Sequence, residues 1–265
     1  MNEQAAGMGP RASLRITASD YPGRRSRLCE DVVAGEGRIS EFLGPRFDDA
    51  TALGELISAL HRRNYPRSGL AAILKEFACA VDAPSAVEEQ IERLRNASAV
   101  TVFAGQQAGL FTGPLLTIYK ALSVERWADD LERAFSVPVI ACFWIADDDH
   151  DFAEIDHVEF PSGTAVERIR YEPSQAPSGA PVGRHRIDSG IEPVFARLEE
   201  QLPESEYKTG VLQTLKEAYA PGTGFGEAFA RLWYRMFPAS KLVFVSGSDE
   251  RLKRLSAPVL ATAAL

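Results

Sequence analysis

Apolar positions recur at helical spacing through the first hundred residues and then change period, and that change divides the chain. Between Arg38 and Arg63, the residues Ile39, Phe42, Leu43, Leu53, Leu56, Ile57 and Leu60 fall on one helical face, interrupted near Gly44-Pro45. Two more helices are predicted over 69–81 and 85–96, the second opened by the capping-box-like run Ser85-Ala86-Val87-Glu88. Ahead of them the first twenty residues are polar and unpatterned, and the opening dozen read as disordered. The run 98–105 is short, β-branched and apolar, the pattern of a buried strand. Gly113-Pro114 opens a helix reaching to Phe135, with Leu115, Ile118, Leu122, Trp127 and Leu131 as its apolar stripe. The next strand, 137–146, is apolar at both alternating sets of positions, as a parallel strand covered by helices should be. Strand, glycine loop, helix, strand is a βαβ unit, for which a right-handed crossover is expected.

Beyond His157 the pattern shifts to short strands, 157–160 and 166–172, followed by a proline- and glycine-rich stretch over 172–183. Helices over 191–202, 207–219 and 225–237 come next, then a buried-strand pattern over 241–247 and a last helix from Asp249 with no capping signal at its end. The predicted class is α/β: a Rossmann-like parallel sheet core with a helical N-terminal region and an inserted subdomain. The expected divisions are 1–97 for the helical region, 98–156 for the first part of the core, 157–223 for the insertion, and 224–265 for a return to a core that stops in mid-architecture.

Composition narrows the function classes. A formal net charge of -8 argues against a general polyanion-binding surface, so no nucleic-acid partner is expected. The longest apolar run, Val137 to Ala146, is too short to cross a bilayer, and the N-terminus lacks a signal-peptide core; a cytoplasmic protein with no membrane partner is expected. Cys29, Cys79 and Cys142 are far apart and include no Cys-x-x-Cys pair, which supports neither a disulfide framework nor a zinc knuckle, and Cys142 reads as a core residue.

Two stretches carry candidate chemistry. Gly105-Gln106-Gln107-Ala108-Gly109-Leu110-Phe111-Thr112-Gly113 leads from a strand into a helix whose first amides lack backbone partners. Its glycines let main chain approach a ligand, and its glutamines offer donors and acceptors without charge. The spacing matches neither the Walker loop nor the dinucleotide fingerprint, and glycines that merely shape a tight turn remain an alternative. Asp147, Asp148, Asp149, His150 and Asp151 follow the next strand. Their mutual repulsion calls for a cation, an arginine or donated hydrogen bonds nearby. No metal-ligand spacing supports a metal site, and capping of the following segment is the plainer use of these residues. His157 is a candidate pocket-wall residue, His61 and His185 read as surface residues, and the glycines of 222–229 read as a loop and helix cap.

Together, the runs "GQQAGLFTGPLLTIYKAL" and "PVIACFWIADDDHDFAEIDH" resemble the signature of the bacillithiol-biosynthesis cysteine-adding enzymes, the BshC family. The resemblance extends through "KLVFVSGSDERLKRLSAPVL" and so spans most of the chain. It implies a Rossmann-like core interrupted by connecting peptides, and ligation of L-cysteine to the amine of glucosaminyl malate. Carried over to this sequence, it points to substrate binding by Gly105, Gln106, Gln107, Gly109, Thr112, Gly113, Asp148 and Asp151. Asp149 or His150 would act as the base, or orient the amine. The cofactor is left undefined, with a nucleotide such as ATP a candidate, and no metal is implied. Asp148 stands where the family usually has glutamate, Ala104 where it has threonine, and Leu116 where it has tyrosine. Full-length members continue into further core elements and a coiled coil that makes a homodimer. The rival readings are a non-catalytic small-molecule-binding remnant, a metal-dependent hydrolase, and a nucleotidyltransferase of another pathway.

Overall fold

The computed structural model describes residues 26–34, 42–46, 48–162, 165–175 and 179–263. The chain divides into two compact units, 1–59 and 60–265. In the first, helix α1 spans Arg27–Ala34, an element the sequence reading did not anticipate. The helical reading over 38–41 lies outside the described residues. Residues 42–46 are not helical: Gly44-Pro45 breaks the pattern, and Phe42 and Leu43 are exposed. Helix α2, Ala50–His61, starts instead behind Asp49, whose carboxylate accepts from the Ala52 amide at 3.0 Å.

The second unit opens with α3 (Arg67–Ala80) and α4 (Ser85–Arg93). The expected capping box on Ser85 is absent. Pro84, with φ already at −58°, is the cap and makes no side-chain bond, so the helix begins at Ser85 itself. Strand β1 (Val100–Gln106), helix α5 (Leu115–Phe135) and strand β2 (Val139–Ile145) then form the βαβ unit, with α5 packed against both strands. An antiparallel hairpin, β3 (His157–Ser162) with β4 (Ala165–Arg170), leads into α6 (Glu192–Gln201), α7 (Lys208–Ala218) and α8 (Phe225–Met236). The chain returns to the sheet as β5 (Val243–Ser246) and continues into α9 (Glu250–Ala263).

The sheet is parallel with order β1-β2-β5. Its register sets Gln106 beside Ile145 and Ile145 beside Ser246. All three strands therefore end level, and the loops that leave them start from one rim, where parallel sheets bind ligands. Beneath that rim the core is aromatic: Phe143, Phe229 and Phe244 sit with ring centroids 5.7–5.9 Å apart. Two polar aromatics are buried with their handles satisfied, since Trp233 Nε1 donates to Ser240 Oγ at 2.9 Å and Tyr234 OH to the Leu242 carbonyl at 2.8 Å. His185, expected at the surface, is half-buried, with its ring 5.4 Å from that of Phe152.

Among the described residues β1 pairs with β2 alone, and Phe103, Leu115, Leu116 and Tyr119 are exposed on β1 and the start of α5. None of the described helices is long and apolar enough to cross a membrane. The free thiols differ sharply. Cys79 is exposed, whereas Cys142 is buried in β2, which pushes its thiol up to about 12. Alkylation of the native chain followed by peptide mass spectrometry should modify Cys79 and leave Cys142 untouched until denaturant is added.

Candidate functional site

The loop after β1 is held in a conformation that most side chains avoid. Phe111, Thr112 and Gly113 have φ of 53°, 77° and 69°, and the two non-glycine residues each cost about 1–3 kcal/mol there. Gly109 and Gly113 make the turn sterically feasible, because a Cβ on Gly109 would lie 2.9 Å from Gly113 Cα. Packing from α6 and the end of α7 holds the turn in place. The Phe111 ring lies 5.9 Å from Phe195 of α6 and 4.9 Å, edge on, from Tyr219 just after α7. Tyr219 OH donates to the Gly109 carbonyl at 3.3 Å and accepts from the Thr112 amide at 3.4 Å. Thr112 is accordingly buried against Tyr219 and is not among the residues that line the open side of the loop.

The acidic loop after β2 is anchored by its first residue. Asp147 is 3% exposed, and it accepts from Ser246 Oγ at 2.7 Å, the Ser248 amide at 2.8 Å and Ser248 Oγ at 3.0 Å. Its own carbonyl accepts from the Gly183 amide at 2.7 Å, and the Asp149 carbonyl from the Val182 amide at 2.7 Å. Gly226, at the start of α8, packs so closely that a Cβ there would come within 2.7 Å of Asp147 Oδ2. One carboxylate thus joins the ends of β2 and β5 to α8, while the adjoining main chain binds the turn at Val182 and Gly183. Burial pushes the Asp147 carboxyl above its ordinary value, against the pull of the three donated bonds.

The two loops meet. The Leu110 amide donates to the Ile155 carbonyl at 2.9 Å, and Gln107 Nε2 reaches both Asp149 Oδ2 at 2.9 Å and Glu154 Oε2 at 2.5 Å. Asp149 Oδ1 also accepts from the amides of His150 (2.6 Å) and Asp151 (3.1 Å). The Gln107 amide first, then these two amides, hold the Asp149 carboxyl below the usual carboxylate range. Between the loops lies a cleft of about 580 Å³. Gln106, Gln107, Gly109, Gly113 and Pro114 form one wall, and residues from Ala153 to Glu159, among them Glu154, His157 and Glu159, form the other.

The structure therefore brings together Gln106, Gln107, Gly109 and Gly113 as cleft lining and attaches Asp149 to them through Gln107. Gly105 lies within β1 against Trp144, where a Cβ would be 3.0 Å from the Trp144 carbonyl. Asp148 and Asp151 are exposed and are not lining residues. The His150 side chain is 78% exposed, with Nδ1 3.6 Å from Asp149 Oδ1. Among the described residues, no three His, Cys, Asp or Glu side chains are grouped as a metal ion would need. Sequence reasoning missed Glu154 and Glu159 as lining residues, Asp147 as the anchor, its partners Ser246 and Ser248, and Tyr219. The serines had a usable signal, since Ser246 ends β5 and Ser248 follows it at the same sheet rim. Tyr219 had none, because nothing local ties it to a loop more than a hundred positions earlier.

Residues 14–264 match the family described as "Bacillithiol biosynthesis BshC, N-terminal Rossmann-like domain". Curated relatives carry the name "Putative cysteine ligase BshC". The chain is 34% identical to the one from Salinibacter ruber over 97% of its own length and 46% of the relative's. It is 31% identical to that of Geobacillus thermodenitrificans, over 87% of this chain and 42% of the relative. For the relative from Chlorobaculum tepidum the identity is 34%, covering 76% and 36% respectively. The chain thus spans less than half the length of these relatives.

Asp147 yields a test with a defined sign. Asp147→Ala strips the two serines and one amide of their acceptor and should cost about 1.5–3 kcal/mol in urea unfolding. Because the native carboxyl titrates above its ordinary 3.8, the folded state holds the Asp147 proton more tightly than the unfolded chain does. Its contribution is fullest below pH 3.8 and is lost as the pH rises through the raised native value. Asp147→Asn removes that dependence, so its stability relative to wild type should improve from pH 4 to 7; a change in the opposite direction would contradict the assignment.

Proposed function

The chain belongs to the BshC family of bacillithiol biosynthesis, matched through its N-terminal Rossmann-like domain, and from that premise we propose that it binds the substrates of a cysteine ligase. The reaction joins L-cysteine to the amine of glucosaminyl malate through an amide bond. The observation that supports the reading is the bridge from Gln107 to Asp149 and Glu154, which makes the two loops at the sheet rim the walls of one cleft.

Amide formation needs a cysteine carboxyl that has been activated, by a nucleotide such as ATP, so that the activating group leaves as the C–N bond forms, and an amine that has lost its proton. Asp149 is poorly suited to accept it, because its oxygens already take three hydrogen bonds and its carboxyl is held low. Its part is to orient the amine beside the cleft, together with the carboxylates of Glu154 and Glu159. His150, adjacent to Asp149, carries an imidazole, the side chain suited to moving protons near neutrality. Gln106, Gln107 and the main chain at Gly109 and Gly113 hold polar groups of the substrate. Because the chain spans less than half of its relatives' length, binding without turnover is the second reading.

Thermal denaturation with L-cysteine and glucosaminyl malate, with ATP and magnesium supplied to activate the carboxyl, followed by mass spectrometry of the mixture, separates the two readings. Stabilisation by a degree or more at saturating ligand is expected, and a coupled product supports the ligase, whereas stabilisation alone supports the binder. No shift with either compound would overturn both. His150→Ala in a chain that turns over should lower the rate about 10²-fold or more with little change in ligand affinity, while Asp149→Asn should raise the half-saturation concentration.

A further inference from the structure

Lys120 lies in the second turn of α5, outside every segment to which a role has been given so far. Its ammonium donates to Gln106 Oε1 at 2.8 Å and to the Gly105 carbonyl at 3.4 Å. An ammonium has only N–H donors, so the atom of the Gln106 amide that faces it must be the oxygen. The neighbouring glutamine is constrained in the opposite sense. Ionised carboxylates only accept, so the atom of Gln107 that faces Asp149 and Glu154 must be the nitrogen. Two adjacent amides that would otherwise be free to flip are thus fixed by charge, with opposite polarity.

Both glutamines line the cleft, and among the described residues neither Gln106 Nε2 nor Gln107 Oε1 takes another partner. We infer that Lys120 is a positioning residue that holds the Gln106 amide with its N–H groups toward the cleft, so that Gln106 donates to the ligand while Gln107 accepts from it. The ligand group that fits this pair carries an acceptor beside a donor, as a carboxamide or neighbouring hydroxyls do. A bare carboxylate matches only the Gln106 half and meets Gln107 Oε1 and the acidic far wall with the same sign of charge. The inference rests on the cleft being the substrate site, as set out under Proposed function.

Three variants of the full chain test it. In ¹⁵N–¹H spectra the side-chain amide signals of Gln106, assigned by their loss in Gln106→Met, should move in Lys120→Met to the position of a solvent-exposed glutamine and stay near the wild-type position in Lys120→Arg. In calorimetry with glucosaminyl malate and with L-cysteine, Lys120→Met should weaken binding of the compound held by the amide pair about tenfold, with Lys120→Arg recovering most of the loss. Gln106→Glu keeps an acceptor for Lys120 but removes the donor, so it should fold at least as stably as wild type and lose binding to the same degree. Unmoved Gln106 signals in Lys120→Met, or wild-type affinity in Gln106→Glu, would overturn the inference. If the wild-type chain binds neither compound, the substrate reading fails separately, and the amide signals still decide the role of Lys120.

Discussion

One side-chain amide, that of Gln107, holds the candidate site together. Its nitrogen lies between two carboxylates of the acidic loop, and this contact, with the Leu110 to Ile155 main-chain bond, makes two independent strand-end loops into one enclosure. The constraint is electrostatic as well as geometric. Asp149 and Glu154 would repel each other beside the cleft, and the shared donor offsets that repulsion without bringing a net charge into it. An arginine in the same place would instead bring a positive charge to the cleft wall.

The remainder of the fold serves to hold these loops at a fixed separation. The level strand ends at Gln106, Ile145 and Ser246 set their starting points. The buried Asp147 carboxylate then locks the acidic loop to β5 and α8, and Tyr219 with Phe195 locks the glycine loop in its left-handed turn. Strain at Phe111 and Thr112 is sustained by packing from Phe195 and Tyr219, so α6 and the end of α7 are structural partners of the site although they lie far from it in sequence. The exposed apolar residues Phe103, Leu115, Leu116 and Tyr119 lie on β1 and the start of α5.

Much of this was legible in the residues. The alternation of apolar runs with glycine and proline gave the βαβ unit, the return strand β5 and the three helices before it, because each is a local pattern with its own period. A donor near the acidic run was implied by charge, since clustered carboxylates require one, but which donor could not be told without the register that brings residue 106 level with residue 145 and so sets Gln107 at the same rim. Two expectations failed for local reasons: Ser85 is inside its helix because Pro84 starts the turn, and Phe42-Leu43 is not helical because Gly44-Pro45 intervenes. Thr112 and Tyr219 show the limit of such reading. A threonine in a glycine loop looks available to a ligand, and only the tertiary position of Tyr219 buries it.

The central claim is that the glycine loop and the acidic loop enclose one guest between them. The most direct measurement is a backbone ¹⁵N–¹H titration of the chain with glucosaminyl malate and with L-cysteine. The account predicts that amides of 105–113 and of 149–159 shift together along a single saturation curve. Shifts confined to one of the two segments, or centred instead on the recess around Arg186 and Arg251, would contradict it.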